Sequence, residues 1–499
     1  MNELNFLSAH ELAQGIRNSV GGSFASHSFS AVEVLDAHLK QIAKHNPSLN
    51  AIITLDEAGA LKRAKEADEA LARGEVWGKL HGVPITVKDY IATAGLRTTS
   101  SYPPLANYVP TEDATVVARL RAAGAIILGK TNQPKLAKGF QTDSPLFGRS
   151  NNPWNLDCTP GGSTGGGAAA VAAGLSPLEI GGDIGGSIRI PAHFCGIFGL
   201  KPTENRVSNV GVVGRNAGPG TVRHLRVIGL LARSIEDLRL GLSLIEGPDH
   251  RDWQVQATPR ETVSQRPLKD YSFAWTDDFA GVPITADTRS TLEKLAIQLE
   301  ELGCRVEHCS PPRLDFREAL RTYGEIVGTE LGVSEPRLLR SLIPLIKTGL
   351  SARLSNDPLT HGILQGARLN FRSYVEALNR RDVVIGQMEA FLSDWDAWLC
   401  PVTCGPAFEH VKVTGILDSF FKVLKMDDQT LPYNVWGLTH APLFNLTGNP
   451  VVVIPAGQSQ AGLPIGIQVV GKRWGDMELL AIAQKLAEVT GGFKRPPGY

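Results

Sequence analysis

Short apolar runs alternate with helical patterns along most of this chain, and no other feature restricts its fold as tightly. Ala125-Ile-Ile-Leu128, Val451-Val-Val-Ile454 and Ile465-Gly-Ile-Gln-Val-Val470 read as strands, while Thr115 to Ala123 has helical spacing. The alternation predicts an α/β fold with a mostly buried sheet. Pro455 to Pro464 is rich in turn formers, so the two strands flanking it are expected to be neighbours joined by a loop. From Asp287 a helix with Leu292, Leu295, Ala296 and Leu299 on one face is predicted to end near Gly303, with a strand at Arg305-Val-Glu-His308.

The chain opens with helices. Ser8-Ala-His-Glu11 has the spacing of a capping box, and Ser30 to Ala43 carries a helical stripe of Val32, Val34, Leu35, His38, Leu39 and Ile42. From Phe316 to Val402 the pattern turns to long helices rich in Leu and Arg, read as a helical elaboration (316–402) laid over the sheet as part of a substrate pocket. No repeat with a period of about 20 to 50 residues is found. The expected organisation is one domain, 5–495, that includes this elaboration.

Composition narrows the function classes. Apolar residues make up 42% and charged residues 20%, values of a globular protein with ample core rather than a disordered chain. Lys plus Arg and Asp plus Glu both number 50, so no global field attracts nucleic acid or an anionic membrane. Six scattered cysteines suit reduced thiols, and Cys400-Pro-Val-Thr-Cys404 lacks the second ligand pair of a zinc site. The N-terminus has no basic region ahead of an apolar core, and no window holds the roughly eighteen uncharged apolar residues of a membrane span. A cytoplasmic location is expected.

Two glycine-rich segments carry the chemistry. Thr159-Pro-Gly-Gly-Ser163-Thr-Gly-Gly-Gly167 opens a small-residue helix, and Gly181-Gly-Asp183-Ile-Gly-Gly-Ser187-Ile-Arg189 follows, with the two serines 24 positions apart. Neither segment has the spacing of a phosphate-binding loop. Each alone fits a tight turn packing a helix on a sheet; together they offer a nucleophile, Ser187, with consecutive amides at Ile184, Gly185, Gly186 and Ser187 able to hold an oxyanion.

A serine needs a base, and neither His81 nor His193 stands in a nucleophile-elbow arrangement. The alternative is Lys88, at the end of the β-branched run His81-Gly-Val-Pro-Ile-Thr-Val-Lys88. A lysine carried inside on a strand loses preference for its charged form, whereas a lysine at a strand end can equally snorkel to water.

These segments, with Asn152-Pro-Trp154, Phe194-Cys-Gly-Ile-Phe-Gly-Leu-Lys201-Pro-Thr203, Leu446-Thr-Gly-Asn-Pro450 and Gly462-Leu-Pro-Ile-Gly-Ile-Gln468, resemble the amidase signature family in content and order. The resemblance covers essentially the whole chain. It implies a large mixed, mostly parallel central sheet flanked by helices, and a Ser–cis-Ser–Lys triad with Ser187 as nucleophile, Ser163 as bridge after a cis bond from Gly162, and Lys88 as base. Ile184, Gly185, Gly186 and Ser187 become the oxyanion hole, and Asp183 and Arg189 support the loop. No metal or organic cofactor is implied. The expected partners are a small-molecule amide and, for the protein itself, a homodimer, without nucleic acid or membrane.

Three positions depart from the common pattern: Thr164 for a second serine, Gly182 for a threonine and Lys135 for a glutamate. The branch of the family that supplies the glutaminase component of a glutamine-dependent tRNA amidotransferase, its A subunit, shares the triad but usually carries Gln after Ser-Ile-Arg, where this chain has Ile190. The expected activity is therefore a free-standing amidase releasing a carboxylic acid and an amine, with the amidotransferase role and a catalytically silent scaffold as alternatives. Ala137, Lys138, Gly139 and Phe140, with Tyr433 and Trp436, are candidate pocket walls; core packing explains the aromatics equally well.

Overall fold

The computed structural model describes residues 3–19, 28–212, 222–257, 261, 263–279, 281–333, 357–413, 416–419 and 421–499. Both N-terminal helices start as their sequence dictates: Ser8 and Ser30 each close a reciprocal capping box, with Glu11 and Glu33. Val34, Leu35, His38 and Ile42 face inward from the second helix. The helix Ala286–Glu301 buries Leu292, Leu295, Ala296 and Leu299.

Among the described residues, eleven strands form one sheet. Across it they run Ile52–Leu55, Ile126–Thr131, Pro84–Lys88, Leu178–Asp183, Val227–Ala232, Phe198–Lys201, Val451–Gln458, Pro464–Val470, Ala397–Pro401, Ser272–Trp275 and Arg305–His308. The two C-terminal apolar runs pair with each other, as their connecting loop suggested. The sheet is large, mixed and flanked by helices, but its parallel share is smaller than expected. Six of its ten pairings are antiparallel, five of them consecutive from Leu178–Asp183 to Ala397–Pro401. A strand buried on both faces is continuously apolar whichever way its neighbour runs, so pairing direction leaves little trace in composition.

The helical elaboration contains Phe316–Gly332, Pro358–Gly366 and Phe371–Leu392, while its residues 334–356 lie outside the described ones. The first two helices approach backbone to backbone: a Cβ at Gly324 or Gly328 would strike the carbonyls of Leu359 or Ile363. The helical stretch stops short of the expected boundary at 402, because Ala397–Pro401 is a fully buried sheet strand. A five-residue apolar run supports either assignment when read alone.

Candidate active site

Lys88 ends a strand buried along its whole length, and its side chain is 0% exposed. Its Nζ donates to Ser163 Oγ at 2.7 Å and to Thr164 Oγ1 at 2.9 Å. Burial lowers the lysine to about 7, against the pull of the Glu179 and Asp183 carboxylates toward the charged form. A substantial neutral fraction is thus present near neutrality, hydrogen-bonded to a hydroxyl it can deprotonate.

Ser163 follows a cis peptide bond from Gly162. The backbone of Gly139–Gln141 passes so close to Gly162 that a Cβ there would overlap it. Thr142 Oγ1 ties the two ends of this turn, donating to the Gly161 carbonyl at 2.8 Å and accepting from the Gly165 amide at 3.2 Å. The helix Gly165–Ala172 that follows is wholly buried.

The second glycine segment is joined to the first through the Thr164 amide, which donates to the Ser187 carbonyl at 3.1 Å. Ser187 itself remains partly exposed. Below it Arg189 and Asp183, both fully buried, form a forked pair at 3.1 and 2.9 Å. Arg189 also donates to the Ala441 carbonyl and to Gln468 Oε1, while Asn445 donates to Asp183 Oδ1 at 2.9 Å. Burial would raise the Asp183 carboxyl, but Arg189, the Ile188 amide and Asn445 outweigh it and hold the group well below the usual carboxylate range.

One expectation needs correction. The Gly186 amide donates to Asp183 Oδ1 at 2.8 Å, so it braces the loop and is not a free donor for an oxyanion. From the helical elaboration, Tyr323 donates its hydroxyl to the Ile184 carbonyl at 2.8 Å. This contact orients the peptide between Ile184 and Gly185. Nothing in the local sequence of Phe316–Gly332 marks Tyr323, whereas Gln468 and Asn445 lie in or beside the C-terminal motifs.

The histidines nearest the glycine segments are engaged with backbone. His81 accepts from the Trp77 amide and donates to the Ala67 carbonyl; His193 accepts from the Gly466 amide and donates to the Gly405 carbonyl. Burial lowers His193 to about 4, so it stays neutral. Neither ring nitrogen is left to accept a proton from serine.

Two departures from the family pattern find a physical account. Thr164 supplies the second hydroxyl on Lys88. At Gly182 a Cβ would overlap the hydroxyl of Tyr90, a buried residue whose ring lies 4.9 Å from Lys88 Nζ. The tyrosine fills the space that a threonine side chain at position 182 would need.

The pocket candidates divide. Ala137 is half-buried, while Lys138 and Gly139 are exposed on a surface turn. Phe140 is buried and stacks on Tyr433 at 4.1 Å, and Trp436 meets Phe408 of the same aromatic cluster at 6.1 Å. Tyr433 accepts from Gln141 at 2.9 Å. The aromatics form core directly behind the Gly162 turn.

A family model described as Amidase matches residues 33–480, and the chain belongs to the amidase signature family, enzymes acting on carbon–nitrogen bonds. Two relatives are each named as the A subunit of glutamyl-tRNA(Gln) amidotransferase. That of Geotalea daltonii is 31% identical over 99% of each chain, and that of Symbiobacterium thermophilum 35% identical over 94% of this chain and 95% of its own. The solved structure of 6-aminohexanoate cyclic dimer hydrolase complexed with substrate superposes with a TM-score of 0.78 at 26% identity, covering 99% of each chain. Among the described residues no helix is long and apolar enough to cross a membrane.

Proposed function

We propose that this chain cleaves an amide carbon–nitrogen bond through an acyl-enzyme on Ser187, with Ser163 as proton bridge and Lys88 as base. The observation that carries the reading is the 2.7 Å hydrogen bond between Ser163 and a lysine that burial has brought to about 7. Ser187 Oγ attacks the amide carbonyl carbon while its proton passes to Ser163 and the Ser163 proton to neutral Lys88. The amides of Ile184, Gly185 and Ser187 receive the oxyanion, with Asp183, Arg189 and the Gly186 amide keeping the loop in place. As the carbon–nitrogen bond breaks, the Lys88 ammonium returns a proton through Ser163 to the departing nitrogen. Water then attacks the ester, releasing the acid and restoring the Ser187 hydroxyl.

Two outlets share this chemistry. The relatives favour the glutaminase component of a glutamine-dependent tRNA amidotransferase, since proteins named as the A subunit of glutamyl-tRNA(Gln) amidotransferase align over nearly the whole chain. In that role the amide is glutamine, the released nitrogen is ammonia, and partner subunits and tRNA take part, against the expectation that no nucleic acid is involved. Ile190 and the likeness to 6-aminohexanoate cyclic dimer hydrolase support a free-standing hydrolase. Stoichiometric labelling by a fluorophosphonate, lost in Ser187→Ala, tests the shared chemistry; labelling that survives the substitution refutes it. Glutaminase activity that appears only with added partner subunits selects the first outlet, and hydrolysis of simple aliphatic or aryl amides by the chain alone selects the second.

A further inference from the structure

Glu179 lies on the strand beside that of Lys88 and is 0% exposed. In the parallel pairing Glu179 stands opposite Thr86, and on the other flank Thr131 stands opposite Lys88. Residues two apart on a strand share a face, as do paired residues, so Thr86, Lys88, Thr131 and Glu179 all project to one side of the sheet. Thr131 Oγ1 donates to Glu179 Oε1 at 2.6 Å. The carboxyl therefore reaches across the Lys88 strand on the face that carries the lysine.

That face is covered by the helix Gly165–Ala172, which has no charged residue. At Gly167 a Cβ would run into the Glu179 carboxyl, so the glycine helix leaves room for this one acid. The charges around it are few. Lys88 shares its face, Asp183 follows on its own strand, and Lys130 comes from the opposite side, where Asp89 is its neighbour. The Tyr90 ring flanks Lys88. A carboxyl sealed here with a hydroxyl donor is a costly way to stabilise a fold. It is a sound way to keep a desolvated lysine basic.

Resting on the reading of Lys88 as base, we propose that Glu179 is a positioning residue that acts through Lys88: its carboxylate supports the ammonium and so keeps the buried lysine a strong enough base to take the Ser163 proton. In keeping with this, burial brings Glu179 up to about 7 while Lys88 comes down to about 7, each opposed by the charge of the other. Without the acid the lysine would deprotonate at lower pH and be a weaker base.

The test is the pH profile of fluorophosphonate labelling at Ser187 in wild type, Glu179→Gln and Thr131→Val, with Ser187→Ala as control. Gln keeps an acceptor for Thr131 and the side-chain shape. For Glu179→Gln the acid limb is expected to move down by about one pH unit, with a slower plateau. Relative to its own plateau, the variant then labels about tenfold faster well below the limb. Thr131→Val removes one of the two hydroxyls, with Thr86, that favour the carboxylate, so its limb moves the same way by less. A folded Glu179→Gln with the wild-type midpoint, or a higher one, overturns the proposal even if its rate is low; should that variant not fold, an unmoved midpoint in Thr131→Val does so. Labelling of Ser187→Ala, or a wild-type profile without an acid limb, would instead refute the underlying reading of Ser187 and Lys88.

Discussion

Lys88 and Arg189 are two cations removed from water to the same extent, and the protein treats them in opposite ways. Both side chains are 0% exposed and both stand within a few residues of a strand end beside the glycine segments. Arg189 meets Asp183 through two hydrogen bonds and spreads its other donors over Gln468, Asn445 and the Ala441 carbonyl. Lys88 is given two neutral hydroxyls. A guanidinium with its charge matched stays charged and holds a loop; an ammonium whose hydrogen-bond partners are hydroxyls, with carboxylates acting on it only from a distance, can shed its proton. Burial is common to both, and the partner decides whether the outcome is an anchor or a base.

Removing that difference gives the largest predicted effect. Lys88→Arg, which keeps the charge but cannot deprotonate, and Lys88→Ala should each slow fluorophosphonate labelling by about 10² to 10⁴-fold. An arginine variant near the wild-type rate would place the base elsewhere. Wild-type labelling should itself fall as pH drops through about 7, since Lys88 is neutral above that value and charged below it. A rate that rose on acidification would contradict the assignment.

Breaking the anchor tests the other side of the comparison. Arg189→Met leaves Asp183 buried without its cation, and the expected cost is about 3–5 kcal/mol in urea unfolding. A variant as stable as wild type would mean that the carboxyl is satisfied by Asn445 and the loop amides alone. Smaller still is the packing around the base. Gly182→Ala should destabilise by about 1–3 kcal/mol through overlap with the Tyr90 hydroxyl, and Tyr90→Phe should recover part of that loss in a double-mutant cycle. Additive effects would show that the two side chains do not compete for one space. The smallest effect is expected from Tyr323→Phe, which removes one hydrogen bond to the Ile184 carbonyl and should cost about 0.5–1.5 kcal/mol. A loss of labelling beyond tenfold there would give Tyr323 a larger part in shaping the loop.

Much of the architecture was legible because its signals are local. The capping box at Ser8 depends on residues three apart, and the stripes after Ser30 and on Ala286–Glu301 on a single helical period. Pairing direction in the sheet and the end of the helical elaboration were not, since continuous apolar runs look alike in either setting. At the site, the glycine segments announced where backbone must come close, and the resemblance assigned roles to Lys88, Ser163 and Ser187. Tyr323, Glu179 and the engagement of Gly186 with Asp183 were not legible. Tyr323 and Glu179 depend on which side chain a distant helix or strand brings to the site, and the Gly186 contact on how the turn after Asp183 folds back on its carboxylate.

The amino-acid sequence by itself determined which chemical groups are present and which short segments hold them: two serines on glycine turns, a lysine closing a β-branched strand, and no histidine placed to serve them. Only the tertiary structure decided that the lysine is dry, that hydroxyls rather than carboxylates meet its nitrogen, and that one of four adjacent amides is already taken by Asp183. Residue types are properties of the chain, whereas desolvation and hydrogen-bond occupancy belong to neighbours up to hundreds of positions away, and these set a proton affinity.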